Sequence, residues 1–310
     1  MRILEFANEL LLMVAENLAI GDLSRFRSTS QRLHILLTPH YKKLCLKDTG
    51  KLTVLQWAAV RGHVELIELA ISNGPGIDKP LGSTLDKSAP HISDRPSSVC
   101  QFANLECVDH GKNAIPRTPL YLAACSRKAV AIQALLKAGA TMQCLEGMST
   151  PAHVAATTGD VNCMQAFISG RFDIHTIGCR DHTILHQATY GGVKMVRYVL
   201  EHAEGERLIN VKNVGNRTPL HLVAGGYSDR YNRREITELL VQHGADIHMM
   251  DWKGNSPAHL AALSGDVDTM RVLIAAGIDF HARGAHGKTI FHRATCNRKG
   301  VLEYLSGKWE

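Results

Sequence analysis

Residues 150–156 read TPAHVAA, a hydroxyl residue and a proline followed by a histidine and small apolar residues. Similar heptads recur along the chain: TVLQWAA from Thr53, TPLYLAA from Thr118, TILHQAT from Thr183, TPLHLVA from Thr218, SPAHLAA from Ser256 and TIFHRAT from Thr289. The first two copies start 65 residues apart, and the later copies follow one another at 32 to 38 residues. Seven copies at nearly one period indicate an array of structural repeats.

Each heptad has the features of a helix start. A Thr or Ser side chain caps the first helical amides, and proline fits the first helical position because it has no amide hydrogen to satisfy. About ten residues later, a second apolar stretch has helical spacing and ends in a glycine, as at Gly139, Gly244 and Gly277. We therefore expect two helices per repeat, with these three glycines in the left-handed conformation.

The segment between the second helix and the next heptad is typical of a turn. Residues 246–255, DIHMMDWKGN, carry a turn signal at Lys253-Gly254-Asn255 directly before the next helix cap. We expect this segment to form a protruding finger in each repeat.

The heptads, helix pairs and turns resemble the ankyrin repeat over roughly residues 49–310. The resemblance implies an all-α fold, a solenoid of helix-turn-helix units with one finger turn each. It also implies that the motif histidine is structural and holds the neighbouring turn by hydrogen bonds, at His153, His186, His221, His259 and His292. The first two copies depart from the family pattern, because Gln56 and Tyr121 occupy the histidine position.

Residues 4–44 do not match the repeat, but they have helical apolar spacing, a helix start at Asp22-Leu23 and a stop at Pro39. One interpretation is a cap of three short helices that seals the first repeat. The segment also resembles an F-box, although Ala7 stands where F-boxes usually have proline. The residues that carry this resemblance are Phe6, Glu9, Leu10, Leu11, Leu18, Asp22, Leu23, Ser30 and Leu33.

These resemblances divide the chain into an F-box-like helical segment at 1–48 and an ankyrin-repeat domain at 49–310, an arrangement of the fungal type. The F-box resemblance implies docking onto the adaptor subunit of a cullin-type ubiquitin ligase, with the array selecting the protein that is brought in. The implied adaptor contacts are Phe6, Leu10, Leu11, Leu18 and Leu23.

In the ankyrin family, variable binding positions lie at the finger tips and at the end of the first helix. Carried over onto this sequence, they indicate a basic edge with aromatic residues, suited to an acidic protein or peptide. The residues are Arg61, Arg117, Arg180, His182, Tyr190, Arg217, Trp252, Lys253, Asn255, His286 and Lys288. The alternative is a row of ordinary solvated surface residues.

Two insertions interrupt the repeats. The first, at about 79–113, is too long for a plain repeat connection and accounts for the 65-residue spacing. The second, at 225–235, reads GGYSDRYNRRE and is expected to add positive and aromatic surface, including Tyr227, Arg233 and Arg234.

Composition limits the possible functions. The net charge of +6 favours anionic partners, but the basic stripe is interrupted by Glu146 and Asp251, so nucleic acid is a less suitable partner than protein. The eight cysteines include no C-x-x-C pair, which indicates reduced thiols and no zinc site. No apolar run is long enough for a membrane helix, so we expect an intracellular protein without a membrane partner.

The sequence contains no recognisable catalytic motif and indicates no cofactor. One enzymatic alternative stays open: a groove adapted to acid-base chemistry on a small molecule, with His182, Tyr190, Asp181 and Arg180 as the candidate catalytic residues. A scaffold of ankyrin repeats without ligase attachment is the other alternative.

Overall fold

A computed structural model describes residues 54–73, 77, 118–142, 149–202, 205–227, 232–295 and 299–306. The F-box-like segment at 1–48 and the insertion at 79–113 lie outside these residues. The chain forms two compact units: the first comprises Met1–His91, Ile115–Ala123 and Val130–Thr141, and the second comprises Ile92–Ala114, Ala124–Ala129 and Met142–Glu310.

The part of the chain that the structure describes contains fourteen α-helices and no β-strand, which confirms the all-helical prediction. The helices follow one another in pairs. They are α1 (Val54–Arg61) and α2 (Val64–Asn73), α3 (Pro119–Cys125) and α4 (Ala129–Lys137), α5 (Pro151–Thr158) and α6 (Val161–Ser169), α7 (Ile184–Gly191) and α8 (Val193–Glu201), α9 (Pro219–Ala224) and α10 (Arg233–Gln242), α11 (Pro257–Ser264) and α12 (Val267–Ala275), and α13 (Ile290–Thr295) and α14 (Lys299–Ser306).

The repeat that begins at Thr150 shows how the heptad forms a helix. Thr150 has an extended backbone, its side-chain oxygen accepts a hydrogen bond from the His153 amide, and Pro151 takes the first helical position. The helix α5 ends at Gly159, which has a φ of 74°. Asp160 then caps α6 by accepting hydrogen bonds from the amides of Asn162 and Cys163.

Three of the second helices, α4, α10 and α12, are followed by the predicted left-handed glycines. Gly139, Gly244 and Gly277 have φ values of 90°, 89° and 88°, in the left-handed region that glycine enters without a Cβ penalty. Their amides donate to carbonyls three residues earlier, as Gly244 does to Val241 at 3.0 Å. These bonds satisfy carbonyl groups that the helix end would otherwise leave open.

Small residues let the first helices of neighbouring repeats approach each other closely. A Cβ atom at Gly191 would lie 2.1 Å from the carbonyl oxygen of Ala156, and a Cβ atom at Gly159 would lie 2.3 Å from the carbonyl oxygen of Gly191. Ala155 and Ala156 are fully buried at this contact. The helices α5 and α7 therefore pack at backbone distance, which explains the small residues at the end of the heptad.

Four of the five motif histidines, those at 153, 186, 221 and 259, are buried and link successive repeats. His292 is exposed, and its Nδ1 atom lies 2.7 Å from the Thr289 hydroxyl of its own repeat. The ring nitrogen Nδ1 of His186 lies 2.9 Å from the Thr183 hydroxyl and accepts from the Thr183 amide at 3.2 Å. The other ring nitrogen, Nε2, donates to the Arg217 carbonyl at 2.9 Å, 31 residues along the chain. A neutral imidazole has one donor and one acceptor nitrogen, and this arrangement uses both.

Three further histidines make the same pair of contacts. Nε2 of His153 lies 3.0 Å from the His182 carbonyl, that of His221 3.2 Å from the Asn255 carbonyl, and that of His259 3.2 Å from the Ala282 carbonyl. In each of the three, Nδ1 lies 2.7 to 2.8 Å from the hydroxyl of the Thr or Ser residue directly before its helix. The structural role predicted for these histidines is confirmed by these bonds.

Burial keeps the four buried motif histidines neutral. It lowers the pKa from the ordinary 6.5 to about 4 for His153, about 3 for His186 and about 4 for His221, although the accepting carbonyls act in the opposite direction. The pKa of His259 is lowered for the same reason. A protonated ring would have to place a second N–H donor against the backbone amide that donates to Nδ1, as at His186, in a position shielded from bulk solvent.

Replacing Gly191 by alanine should destabilise the protein, although alanine is the better helix former. The new methyl group would collide with the Ala156 carbonyl, and overpacking of this kind costs about 1 to 3 kcal/mol. Gly300→Ala is the matched control, because a Cβ there would lie 3.6 Å from its nearest neighbour on Val267. Urea unfolding followed by circular dichroism measures both variants. Equal midpoints for the two would contradict the close approach.

Acid should unfold the repeats, because the histidines bind protons in the unfolded chain before they do so in the folded one. The stability is full above pH 6.5 and falls as the pH drops towards the folded values of about 3 to 4. Each buried histidine adds a slope of up to about 1.4 kcal/mol per pH unit to the free energy of unfolding.

Urea midpoints at pH 7.5, 6.5 and 5.5 test this expectation. His186→Gln should lower the midpoint at pH 7.5 and make the dependence shallower; equal midpoints of the native protein from 7.5 to 5.5 would refute it.

Candidate protein-binding surface

Four short loops of the second unit, here called fingers A (178–182), B (213–217), C (251–255) and D (284–288), lead into the helices α7, α9, α11 and α13. In each finger the amide of the first residue donates to the carbonyl of the fifth, at 2.8, 3.0, 2.9 and 2.8 Å respectively. In fingers A to C the same carbonyl also accepts the hydrogen bond from the motif histidine of the preceding repeat. The histidines thus hold the bases of these three fingers.

Fingers B and C use a polar side chain to form the turn. The Oδ1 atom of Asn213 accepts from the amides of Gly215 and Arg217 at 2.9 and 3.0 Å. Asp251 does the same for the amides of Lys253 and Asn255, at 3.0 and 2.8 Å. Such turns hold the backbone from within the finger.

Fingers A and D begin with glycine and have a different tip. A Cβ atom at Gly178 would lie 2.9 Å from the His153 ring, and one at Gly284 would lie 2.6 Å from the His259 ring. The tip of finger A then places Arg180 and Asp181 in the left-handed region, with φ values of 57° and 58°. In finger D, His286 has a φ of 59° and is followed by a glycine.

Neighbouring fingers are joined by backbone hydrogen bonds. The Val214 amide donates to the Arg180 carbonyl, and the Trp252 amide donates to the Gly215 carbonyl, both at 3.1 Å. Fingers A, B and C therefore form one connected surface within the second unit.

A scan against protein families identifies the repeat. The model for ankyrin repeats (3 copies) matches residues 152–251 and 228–308, which together make up half of the chain. The chain belongs to the ankyrin-repeat family. Proteins of this family bind protein partners, and the fingers of this ankyrin array are the candidate surface for such contacts.

Individual ankyrin proteins resemble the chain at lower identity. B-cell lymphoma 3 protein homolog of Mus musculus is 28% identical over 203 residues, which cover 63% of this chain and 43% of that protein. E3 ubiquitin-protein ligase KEG of Arabidopsis thaliana is 24% identical over 259 residues, covering 67% of this chain and 16% of that protein. The chain thus spans less than half the length of these curated relatives.

A solved structure has the same fold. The crystal structure of the ankyrin repeat domain of Bcl-3 aligns with a TM-score of 0.58 and 23% sequence identity, over 83% of this chain and 99% of that one. At this identity the likeness supports the ankyrin fold and carries no information on the partner.

Several predicted binding residues lie exposed on the fingers of the ankyrin array. Arg180 is at the tip of finger A, His286 is at the tip of finger D, and Lys288 is half-buried at its end. On finger C, the Trp252 side chain is 62% exposed and the Lys253 ammonium lies 4.8 Å from the centre of the Trp252 ring. A cation over an aromatic face is a favourable contact that leaves both groups at the surface.

Arg217 differs from the prediction of an exposed cation. Its Nε atom lies 3.5 Å from a carboxylate oxygen of Asp251, and its side chain is 22% exposed. The guanidinium also stacks at 5.3 Å on the ring of Tyr227, which is half exposed. Asp251 is buried, so Arg217 balances its charge. This arginine therefore contributes to the fold as well as to the surface.

The sequence predicts Asn255 and Arg233 at the surface, but the structure directs both side chains inward. Asn255 is 4% exposed, and its Oδ1 atom accepts from Arg293 at 2.9 Å. Arg233 donates to Asp266 at 2.9 Å in an ion pair whose side chains are 15% and 12% exposed. Both residues join neighbouring repeats, which explains why polar side chains occupy these positions.

His182 lies between two side-chain amides. Because the Oδ1 atom of Asn213 already accepts two backbone amides, its Nδ2 atom faces the Nε2 atom of His182 at 2.9 Å and donates to it. The remaining ring nitrogen, Nδ1, carries the proton of the neutral ring and lies 3.1 Å from the Nε2 atom of Gln187, whose side-chain amide can accept this proton only through its oxygen.

This environment does not suit the acid-base role considered for His182. Burial, with a further contribution from the Arg180 charge, lowers its pKa to about 4. The ring also stacks on His186 at 5.2 Å. Asp181 is exposed at the tip of finger A, and Tyr190 is half-buried near the end of α7. The ring nitrogen that could accept a proton, Nε2, already accepts from the Asn213 side chain, so a catalytic base here would first have to break that bond.

The remaining predicted residues lie elsewhere. Arg61 is exposed at the end of α1 in the first unit, and Arg117 is outside the described residues. The adaptor-binding residues predicted at Phe6, Leu10, Leu11, Leu18 and Leu23 are also outside them.

Among the described residues, no group of three or more His, Cys, Asp or Glu side chains is placed to hold a metal ion. In the same residues, no helix has the length and apolarity needed to cross a membrane.

Val214 is a surface residue that the sequence analysis missed. Its side chain is 67% exposed on finger B, at the same finger position as Trp252 on finger C. Val214 lies four residues before Thr218, at one of the family's variable positions. The predicted surface consists mainly of cations and aromatic residues, so it does not include this aliphatic residue.

Asn213→Asp should raise the pKa of His182 above about 4. The carboxylate keeps the turn, as Asp251 does in finger C, but it places an acceptor with negative charge against Nε2 of the ring and so favours the protonated form. An NMR titration of the imidazole nitrogens measures the change. Asn216→Asp is the control, because it adds the same charge at an exposed position of the same finger. An equal response in both variants would contradict the bond between Asn213 and His182.

Proposed function

We propose that this ankyrin protein is the substrate-recognition subunit of a cullin-type ubiquitin ligase, in which residues 4–44 bind the adaptor and the fingers bind an acidic protein partner. The proposal has two parts that rest on different observations. The first is the F-box-like pattern at the N-terminus, and the second is the charge of the fingers.

The proposed binding of an acidic partner is supported by the charge of fingers A to D, which together are called the finger row. Fingers A to D, with Lys212 and Arg283 directly before fingers B and D, contain six lysines and arginines against two aspartates, Asp181 and Asp251. Asp251 is buried and paired with Arg217, so its charge is used inside the protein. The surface is left with an excess of positive charge, which attracts acidic partners and speeds their association.

The ligase part is supported by sequence. The apolar residues Leu10, Leu11, Leu18 and Leu23 have the order and spacing of F-box contacts with the adaptor, with Ala7 as the departure. Among the ankyrin relatives, KEG is named as an E3 ubiquitin-protein ligase, so ankyrin repeats and ubiquitin ligase activity occur together in at least one relative. A scaffold of ankyrin repeats without adaptor binding is the competing function.

Co-expression of the full chain with the ligase adaptor, followed by size-exclusion chromatography with light scattering, tests the ligase part. We expect a one-to-one complex that is lost in the variant Leu10→Asp/Leu11→Asp, because two carboxylates would replace the apolar contact. Arg180→Gln is the matched control: it changes finger A and should keep the complex. A native chain that elutes alone would refute the ligase part and favour the scaffold.

A further inference from the structure

The surface of fingers B and C has an apolar centre. Val214 is 67% and Trp252 is 62% exposed, and both are the second residue of their finger. The Trp252 indole lies against Gly215, since a Cβ atom there would be 3.5 Å from its Cδ1 atom. Single exposed apolar residues are common on proteins, but two large ones on adjoining fingers that are hydrogen-bonded to each other form a patch suited to an interface.

The position of this patch is fixed before any partner binds. The amides of Val214 and Trp252 are both hydrogen-bonded to the preceding finger. The bases of fingers B and C are held by His186 and His221 through the carbonyls of Arg217 and Asn255. A partner that seats an apolar side chain here pays little for ordering these loops, which favours tight binding.

Positive charge flanks the patch on both sides. On finger C, the Lys253 ammonium lies over the Trp252 ring. On finger A, Arg180 is exposed, and its carbonyl accepts the Val214 amide, so this residue directly adjoins Val214. Arg217, between them, is already paired with Asp251.

The backbone of finger A sets the position of Arg180. Arg180 and Asp181 both have positive φ, as do His286 and Gly287 at the tip of finger D. This turn places Arg180 at the exposed tip of finger A, next to Val214.

We infer that Val214 and Trp252 form the binding hot spot of the finger row, and that its occupant is an acidic segment of a partner protein with one aliphatic or aromatic side chain between carboxylates. The apolar side chain packs on Val214 and Trp252, and the carboxylates pair with Arg180 and Lys253. This inference rests on the proposal that the fingers bind a protein, and it specifies the chemistry of that partner.

A library of random twelve-residue peptides displayed on phage, selected on the full chain, tests the inference. We expect the enriched peptides to contain a Leu, Ile, Phe or Trp flanked by Asp or Glu. Synthetic copies with a fluorescein label then give dissociation constants by fluorescence anisotropy. Val214→Ser and Trp252→Ser should each weaken binding about tenfold or more, as for central interface residues. Arg180→Gln and Lys253→Gln should weaken it several-fold, and less at high salt.

Two controls match these variants in residue type and exposure. Val130 is 61% exposed on α4, outside the fingers, so Val130→Ser should leave the affinity unchanged. Lys194 is exposed on α8, so Lys194→Gln should do the same. Circular dichroism melts of all variants should agree, because each changed side chain is at the surface.

The outcomes separate this inference from the proposed function. Failure to enrich any peptide, enrichment of basic or purely apolar peptides, or unchanged affinity in Val214→Ser and Trp252→Ser would overturn the hot spot. If Lys288→Gln weakens peptide binding but neither Val214→Ser nor Trp252→Ser does, binding by the fingers stands and only the hot spot is refuted. Adaptor binding is measured separately and does not depend on any of these results.

Discussion

The second unit depends on one imidazole per repeat that connects two repeats through neutral hydrogen bonds. On one side, the ring accepts from the hydroxyl that starts its own helix; on the other, it donates to a backbone carbonyl at the base of the next finger. The ring is fully buried at His153, His186, His221 and His259, so neither bond competes with water. An unmade bond at this depth would leave a buried ring N–H group without a partner.

The local parts of the fold could be predicted from the sequence because their causes lie within a few residues. A Thr-Pro pair predicts the start of a helix, and a glycine at the end of an apolar stretch predicts its end. The predicted left-handed glycines and the structural histidines are accordingly found in the described residues. The F-box-like segment stays a prediction, because its residues lie outside the described part of the chain.

The site could be predicted less well because burial in an array depends on residues about one repeat away. Arg217 and Asp251 are 34 positions apart, and Arg233 and Asp266 are 33 apart, yet each pair is in contact. A list of finger positions treats Arg217 and Asn255 as equivalent to Lys253, although neighbouring repeats cover the first two and leave the third exposed. Val214 shows the opposite case. Its residue type predicts nothing unusual, but the neighbouring repeats leave its side chain 67% exposed.

The histidines bind the fingers through main-chain carbonyls, and this choice of acceptor has an evolutionary consequence. Every amino acid has the same carbonyl, so most finger side chains can be exchanged without changing the bonds that hold the array together. Recognition can then diverge quickly while folding is conserved. Fingers B and C are the exception, since the side chains of Asn213 and Asp251 form their turns and Asp251 pairs with Arg217. Change at one of these positions constrains the others, so fingers B and C should change more slowly in evolution than fingers A and D.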